Sequence, residues 1–143
     1  MSFELSELLD FMRGSRLGVI STLSGTASPQ SALVGIATTD DHRVIFDTVS
    51  TSRKHANLKR NPHISLVIGG ADEKTVQYEG HAVEVPTDGP DGSLEREVYF
   101  STWPEGRDRL NWPNITYWCI SPTWARYSDF GASPPVIVEF TWS

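Results

Sequence analysis

From Leu17 onward the chain repeats one local pattern: a short run of apolar and β-branched residues, closed almost at once by a turn signal. Leu17–Leu23 (LGVISTL) runs into Ser24-Gly25-Thr26, and Pro29–Thr39 (PQSALVGIATT) runs into Asp40-Asp41-His42. Arg43–Thr48, His63–Ile68, the longer Thr75–Val85, Ile115–Ile120, Thr123–Ser128 and Val136–Phe140 continue the pattern. Runs this short, rich in Val, Ile and Thr and bounded by Gly, Asp and Ser, predict strands joined by tight turns. Strands connected so closely pair antiparallel, and a barrel disposes of their edges. The predicted fold class is mainly β: an antiparallel β-barrel with a few helices.

Helical periodicity is confined to short pieces. Leu5, Leu8, Leu9 and Met12 recur at helical spacing, with Ser2 or Ser6 as a cap and Gly14 as a stop. A helix of about two turns is predicted between Ser52 and Asn61-Pro62, because proline disfavours helical geometry in the residue before it. Leu94–Phe100 is a third candidate, between the turn-rich Thr87–Gly92 and an irregular, proline-bounded Trp103–Asn114. No repeat or linker interrupts this order, so one domain spanning residues 1–143 is expected.

Charge narrows the partners. The 12 Lys and Arg against 18 Asp and Glu leave a net charge of −6, the opposite of the broad basic field that nucleic acid requires. The single cysteine, Cys119, permits no intramolecular disulfide and fits a reducing compartment. MSFELSELLDFMRG has early acids and no uncharged apolar run, unlike a secretory leader. No apolar stretch approaches the ~18 residues of a membrane span. A cytoplasmic location is expected, with neither nucleic acid nor membrane as partner.

Against this acidic background, Thr48 to Ala71 holds no acidic residue, and within it lies TSRKHANLKRNPH. The helix dipole separates the cations of this segment. A helix start is its positive end and disfavours a cation there by roughly 0.3–1 kcal/mol. Arg53 and Lys54 occupy that end, just after the candidate caps Thr51 and Ser52; an anion placed there meets free N–H groups, hydroxyls and two cations. Lys59 and Arg60 fall in the last turn, where the dipole favours them without a ligand. No two of the four histidines have metal-ligand spacing and Cys119 adds no cluster, so no metal is expected. Glycine-rich nucleotide loops and Gly-x-Ser-x-Gly are absent from the sequence.

The order strand, Ser-Arg-Lys, Asn-Leu, Asn-Pro, β-branched strand resembles the pyridoxamine 5′-phosphate oxidase-like family of flavin-binding split barrels. The match is clearest in VIFDTVSTSRKHANLKRNPHISLVIGG and in VQYEGHAVEV, with looser agreement in element order from the first helix to Phe100. The resemblance implies an FMN-binding split barrel, an antiparallel barrel of Greek-key type, paired as a homodimer with FMN in clefts shared by both subunits. It implies Asp47 and Thr48 beside the flavin or its ribityl chain, and Ser52, Arg53 and Lys54 at the FMN phosphate. The second strand, Ala32–Ile36 with Val34 at its centre, would pass the isoalloxazine ring, and Thr75 or Gln77 would offer it a polar side chain. The family's basic residues on the second strand are missing from PQSALVGIATT, its substrate-phosphate arginine aligns with Trp103, and its C-terminal Arg-Leu-His…Arg-Leu-x-Pro signature is absent. A retained cofactor site with a changed substrate site is the consequence.

All five tryptophans, at 103, 112, 118, 124 and 142, fall late in the chain. Trp118 and Trp142 are expected in core or interface packing, and Trp103 and Trp112 as a lid. Trp124 and Arg126 alternate onto one face of a strand, a stacking surface beside a cation, and related split barrels use such a residue near the flavin. The expected function is an FMN-dependent oxidoreductase that exchanges a hydride at flavin N5 with a small planar or conjugated substrate. The alternatives are a non-catalytic flavin-binding or storage protein, a deazaflavin- or haem-binding relative, or a barrel carrying another phosphorylated ligand.

Overall fold

The computed structural model describes residues 2–143. Helix α1 (Leu5–Gly14) precedes strands β1 (Leu17–Leu23), β2 (Pro29–Gly35), β3 (Ala37–Thr38) and β4 (Val44–Val49). Helix α2 (Arg53–Arg60) leads to β5 (His63–Gly69) and β6 (Lys74–Val85). Helix α3 (Ser93–Thr102) and a 3-10 segment (Pro104–Asn111) precede β7 (Ile115–Asp129) and β8 (Val136–Thr141). The strands pair antiparallel in the order β2-β1-β5-β6-β7-β4-β3, with β8 also on β7. Residues from both ends of that path, Ala32 and Val34 of β2 and Val44 and Phe46 of β4, pack into one cluster with Ile20, Leu66, Tyr78 and Trp118. The sheet is therefore curled on itself into a half-barrel, as the mainly β prediction requires. Leu8 and Met12 of α1, both wholly buried, join that inner core. Strands β4 and β7 also bury their outer side, where Ile45, Tyr117 and Cys119 pack beneath Tyr99 and Phe100 of α3.

The structure corrects four local expectations. Helix α1 is capped by Glu4, whose N–H donates to the Glu7 carboxylate at 3.0 Å, rather than by Ser2 or Ser6. The second strand breaks at Ile36, whose N–H makes the last rung against β1 by donating to the Arg16 carbonyl at 2.9 Å; Ala37 and Thr38 then pair with β4. Trp103–Asn114 is largely a 3-10 helix, with proline at its start. The two strands expected at 115–120 and 123–128 form one strand, β7, running through Pro122. A bulge at Glu79/Gly80 takes up the irregularity, the kind of place where proline's missing donor is tolerated.

Trp103 is not a lid: its indole N–H donates to the Ile36 carbonyl at 3.0 Å, and its ring lies where a Cβ on Gly35 would come within 2.8 Å. Trp118 is buried in the core and Trp142 packs against it, as expected, while Trp112 stands half exposed.

Gly80 lies opposite Pro122, and a Cβ there would stand 2.2 Å from the Ser121 carbonyl oxygen, a backbone atom that cannot rotate away. Gly80→Ala should therefore cost at least about 2 kcal/mol, the scale of overpacking in a close-packed site. Urea denaturation measures it; a loss below about 0.5 kcal/mol would show that the bulge yields freely.

Candidate functional site

Strand β4 hands over to α2 through a relay of side chains. Thr48 Oγ1 donates to Ser52 Oγ at 2.9 Å, and Ser52 Oγ accepts the N–H of His55 at 3.2 Å as the helix cap. With both bonds accepted, the Ser52 hydroxyl proton is left to point elsewhere. Thr116 of β7 donates to the Thr48 carbonyl at 2.6 Å. The Trp118 indole N–H, which can only donate, reaches His55 Nδ1 at 3.2 Å, so the imidazole proton sits on Nε2. One turn on, the buried Asn57 donates to Thr22 Oγ1 and to Gln30 Oε1, each at 2.9 Å. Leu58 enters the inner core. The start of α2 is thus tied to β4 and β7 on one side and to β1 and β2 on the other.

Arg53 and Lys54 line a cleft of about 220 Å³ against β1 and β2, with Ile20, Thr22, Gln30, Ser31 and Ala32. No acidic residue lies in the first turn of α2. Among the described residues neither cation has a carboxylate at ion-pair distance, whereas other arginines and lysines do. Lys59 pairs with Glu84 at 3.1 Å and Arg60 donates to Asn57 Oδ1 at 3.4 Å, so the back of the helix is satisfied internally. Partial burial, then the like charge of Arg53, push the Lys54 ammonium below the usual lysine range, with Asp47 opposing. Two cations crowded at the positive end of a helix, with polar side chains across a cleft, can attract a small anion.

The other expected site residues fall in three places. Thr48 and Ser52 belong to the relay beneath the cleft. Asp47 lies on the opposite side of β4 from Thr48; its carboxylate accepts Arg109 Nε at 2.7 Å, and Arg109 Nη2 donates to the Tyr99 hydroxyl at 3.2 Å. Burial, then the Asp47 charge, hold the Tyr99 phenol protonated well above its ordinary range. Val34 faces inward and packs on the core beside Ala32.

Thr75, Gln77, Trp124 and Arg126 do not line the cleft. They alternate with the buried Val76, Tyr78, Ala125 and Tyr127, and so project from the outer face of β6 and β7. There Gln77 and Arg126 are register partners. The Arg126 guanidinium lies 5.3 Å from the Trp124 ring centre, and Trp124 Nε1 donates to Glu139 at 2.7 Å. Arg126 Nε is buried and has no acceptor among the described residues.

Arg109, His55, Trp118 and Gln30 contribute to the region although nothing local in the sequence marks them. Arg109 comes from chain with no periodicity, and the His55–Trp118 contact joins residues 63 positions apart.

A family model described as pyridoxamine 5′-phosphate oxidase matches residues 5–129. The chain is 30% identical over 86 residues to a pyridoxine/pyridoxamine 5′-phosphate oxidase of Haemophilus influenzae; the match covers 59% of this chain and 38% of that relative's length. Among solved structures, a heme binding protein from Mycobacterium smegmatis superposes with a TM-score of 0.81 at 15% identity, over 99% of this chain and 59% of that one. A pyridoxamine 5′-phosphate oxidase-related, FMN binding protein from Nostoc punctiforme superposes with a TM-score of 0.71 at 12% identity, over 100% of both chains. At these identities the superpositions show the fold.

The crowding at the start of α2 has a measurable consequence without any ligand. Lys54→Met removes a partly buried charge from the positive helix end while keeping the alkyl stem. The ligand-free variant should be as stable as the parent or more stable by about 0.5 kcal/mol, the order of one helix-end charge. Chemical denaturation at neutral pH tests this, and a loss above about 1 kcal/mol would mean that the ammonium has a stabilising partner.

Proposed function

The chain belongs to the pyridoxamine 5′-phosphate oxidase family, and from that premise we propose that it binds FMN as a homodimer and acts as a flavin-dependent oxidoreductase. The observation that carries the reading is the pair Arg53 and Lys54, held without carboxylates at a capped helix start and facing a cleft. A phosphate dianion there would meet both cations, the open N–H groups of the first turn and the spare hydroxyl proton of Ser52. Thr48 would act through Ser52 as a positioning residue. Ala32 and Ile20, lining the same cleft, offer apolar contact beyond the phosphate. Bound FMN would supply the redox chemistry by hydride exchange at N5, while the chain binds and orients it. Trp103 occupies the place of the family's substrate-phosphate arginine, which favours a substrate other than pyridoxamine 5′-phosphate.

The outer face supports the homodimer. Leu33, Val19, Val67, Gln77, Arg126 and Glu139 stand side by side across six strands. Leu33 is 65% exposed and Val67 48%, with Leu17 and Val19 beside them. Exposed apolar clusters of this kind mark interaction surfaces. A second copy on this face would cover them and bring Thr75, Gln77, Trp124 and Arg126 to a shared cofactor, giving Arg126 Nε an acceptor. The heme binding protein on the same fold makes haem the second reading, which the absorption spectrum of the purified protein separates from flavin.

Arg53→Ala with Lys54→Ala should weaken FMN binding at least about tenfold more than Lys59→Ala with Arg60→Ala, a difference of ~1.4 kcal/mol. Flavin fluorescence titration compares the pairs, and equal losses would remove the phosphate assignment. Leu33→Glu should shift the protein from dimer to monomer in light scattering. A parent that is monomeric at tens of micromolar would refute the dimer itself.

A further inference from the structure

A second cavity, of about 480 Å³, shares Thr22 with the cleft at Arg53 and Lys54, and His63, His81, Glu79, Ser65 and Ser21 are among its lining residues. His63 and His81 are 18 positions apart in sequence, so spacing gives no sign of them as a pair. The β5–β6 register sets them opposite one another. Ala82 N–H donates to the Pro62 carbonyl at 2.9 Å, which makes 62/82 a hydrogen-bonded pair of the antiparallel ladder. Hydrogen-bonded and open pairs alternate, so 63/81 is an open pair, the class in which facing side chains come closest.

The two imidazole rings accordingly stand with centres 4.6 Å apart, tilted by 61°. Both side chains are exposed, and among the described residues neither ring makes a hydrogen bond or ion pair, unlike His42 on the Leu5 carbonyl and His55 on Trp118. No group of three or more His, Cys, Asp or Glu side chains among the described residues is arranged to hold a metal ion. A metal ion here would therefore have the two imidazoles and no third such side chain among the described residues.

We infer that His63 and His81 form a two-imidazole chelate for a borderline divalent transition ion, such as Cu²⁺, Ni²⁺ or Zn²⁺, with water completing the coordination shell. Imidazole nitrogen suits these ions and not Ca²⁺ or Mg²⁺, which take oxygen ligands. Two imidazoles pinned on neighbouring strands lose little freedom on chelation, because the ladder already holds their backbones in register. Glu79 on the same face, two residues from His81, lowers the electrostatic cost of a dication in the groove. Neither histidine lines the cleft at Arg53 and Lys54, and the inference does not rest on the flavin reading.

The test is calorimetric titration of tag-free protein with NiCl2, ZnCl2 and CuCl2, with MgCl2 as the control ion. The expected result is one transition ion per chain, no Mg²⁺ binding, and at least a tenfold weaker affinity in each of His63→Gln and His81→Gln. Electron paramagnetic resonance of the Cu²⁺-loaded parent needs no variant and should show coupling to two imidazole nitrogens. Absence of binding, affinity that survives loss of either histidine in a folded variant, or a Cu²⁺ spectrum with fewer than two nitrogens overturns the inference.

Discussion

Strand β7 carries more of the architecture than its length alone suggests. One edge is occupied along nearly all its residues by β6, while the other is divided, with Ile115–Ile120 taken by β4 and Trp124–Asp129 by β8. A single strand can serve three partners because the bulge opposite Glu79/Gly80 lets it turn at Pro122 without stranding a donor. Gly80 makes the close approach possible, since the Ser121 carbonyl occupies the space any side chain would need. The position of β4 follows from that division. The start of α2 follows from β4, because Thr116 and Trp118 of β7 are the groups that hold Thr48 and His55.

The same helix shows how placement decides the meaning of a charge. Lys59 and Arg60 sit at the negative end and find partners within the chain; Arg53 and Lys54 sit at the positive end and find none among the described residues. The nearest acid of note, Asp47, is engaged by Arg109 on the other side of β4. Leaving two cations unneutralised at the positive end of the helix costs the ligand-free fold some stability. The anchors beneath them, Asn57 on β1 and β2 and His55 on β7, keep that first turn in place while the cleft is open to solvent.

The outer face of the sheet carries a second organisation that runs across strands rather than along them. Near Leu33, Val19 and Val67 it is apolar, and near His63, His81 and Glu79 it is polar and indented. Neither end is visible in any one strand, because each strand contributes a single alternating residue to each row. Register assembles the rows, and register depends on the turns and on the buried alternation of the inner face.

Much of this protein is legible in its sequence alone. Short β-branched runs between turn residues specify strands, because only strand pairing satisfies their backbone groups. The order of charge along TSRKHANLKR specifies which end of a short helix carries cations against the dipole, because the dipole has a fixed direction. Residues in contact across long stretches of chain were not legible. The Arg109–Asp47 ion pair, the Trp118–His55 bond, the seat of Trp103 on Gly35 and the facing of His63 and His81 all join segments with no local signal in common. The joining of two expected strands into β7, and the break of another at Ile36, belong with them, since each answers to the partner edge on offer. Local chemistry thus determined the elements and the polarity of the helix by itself; which side chains meet was decided only when the sheet curled and set its register.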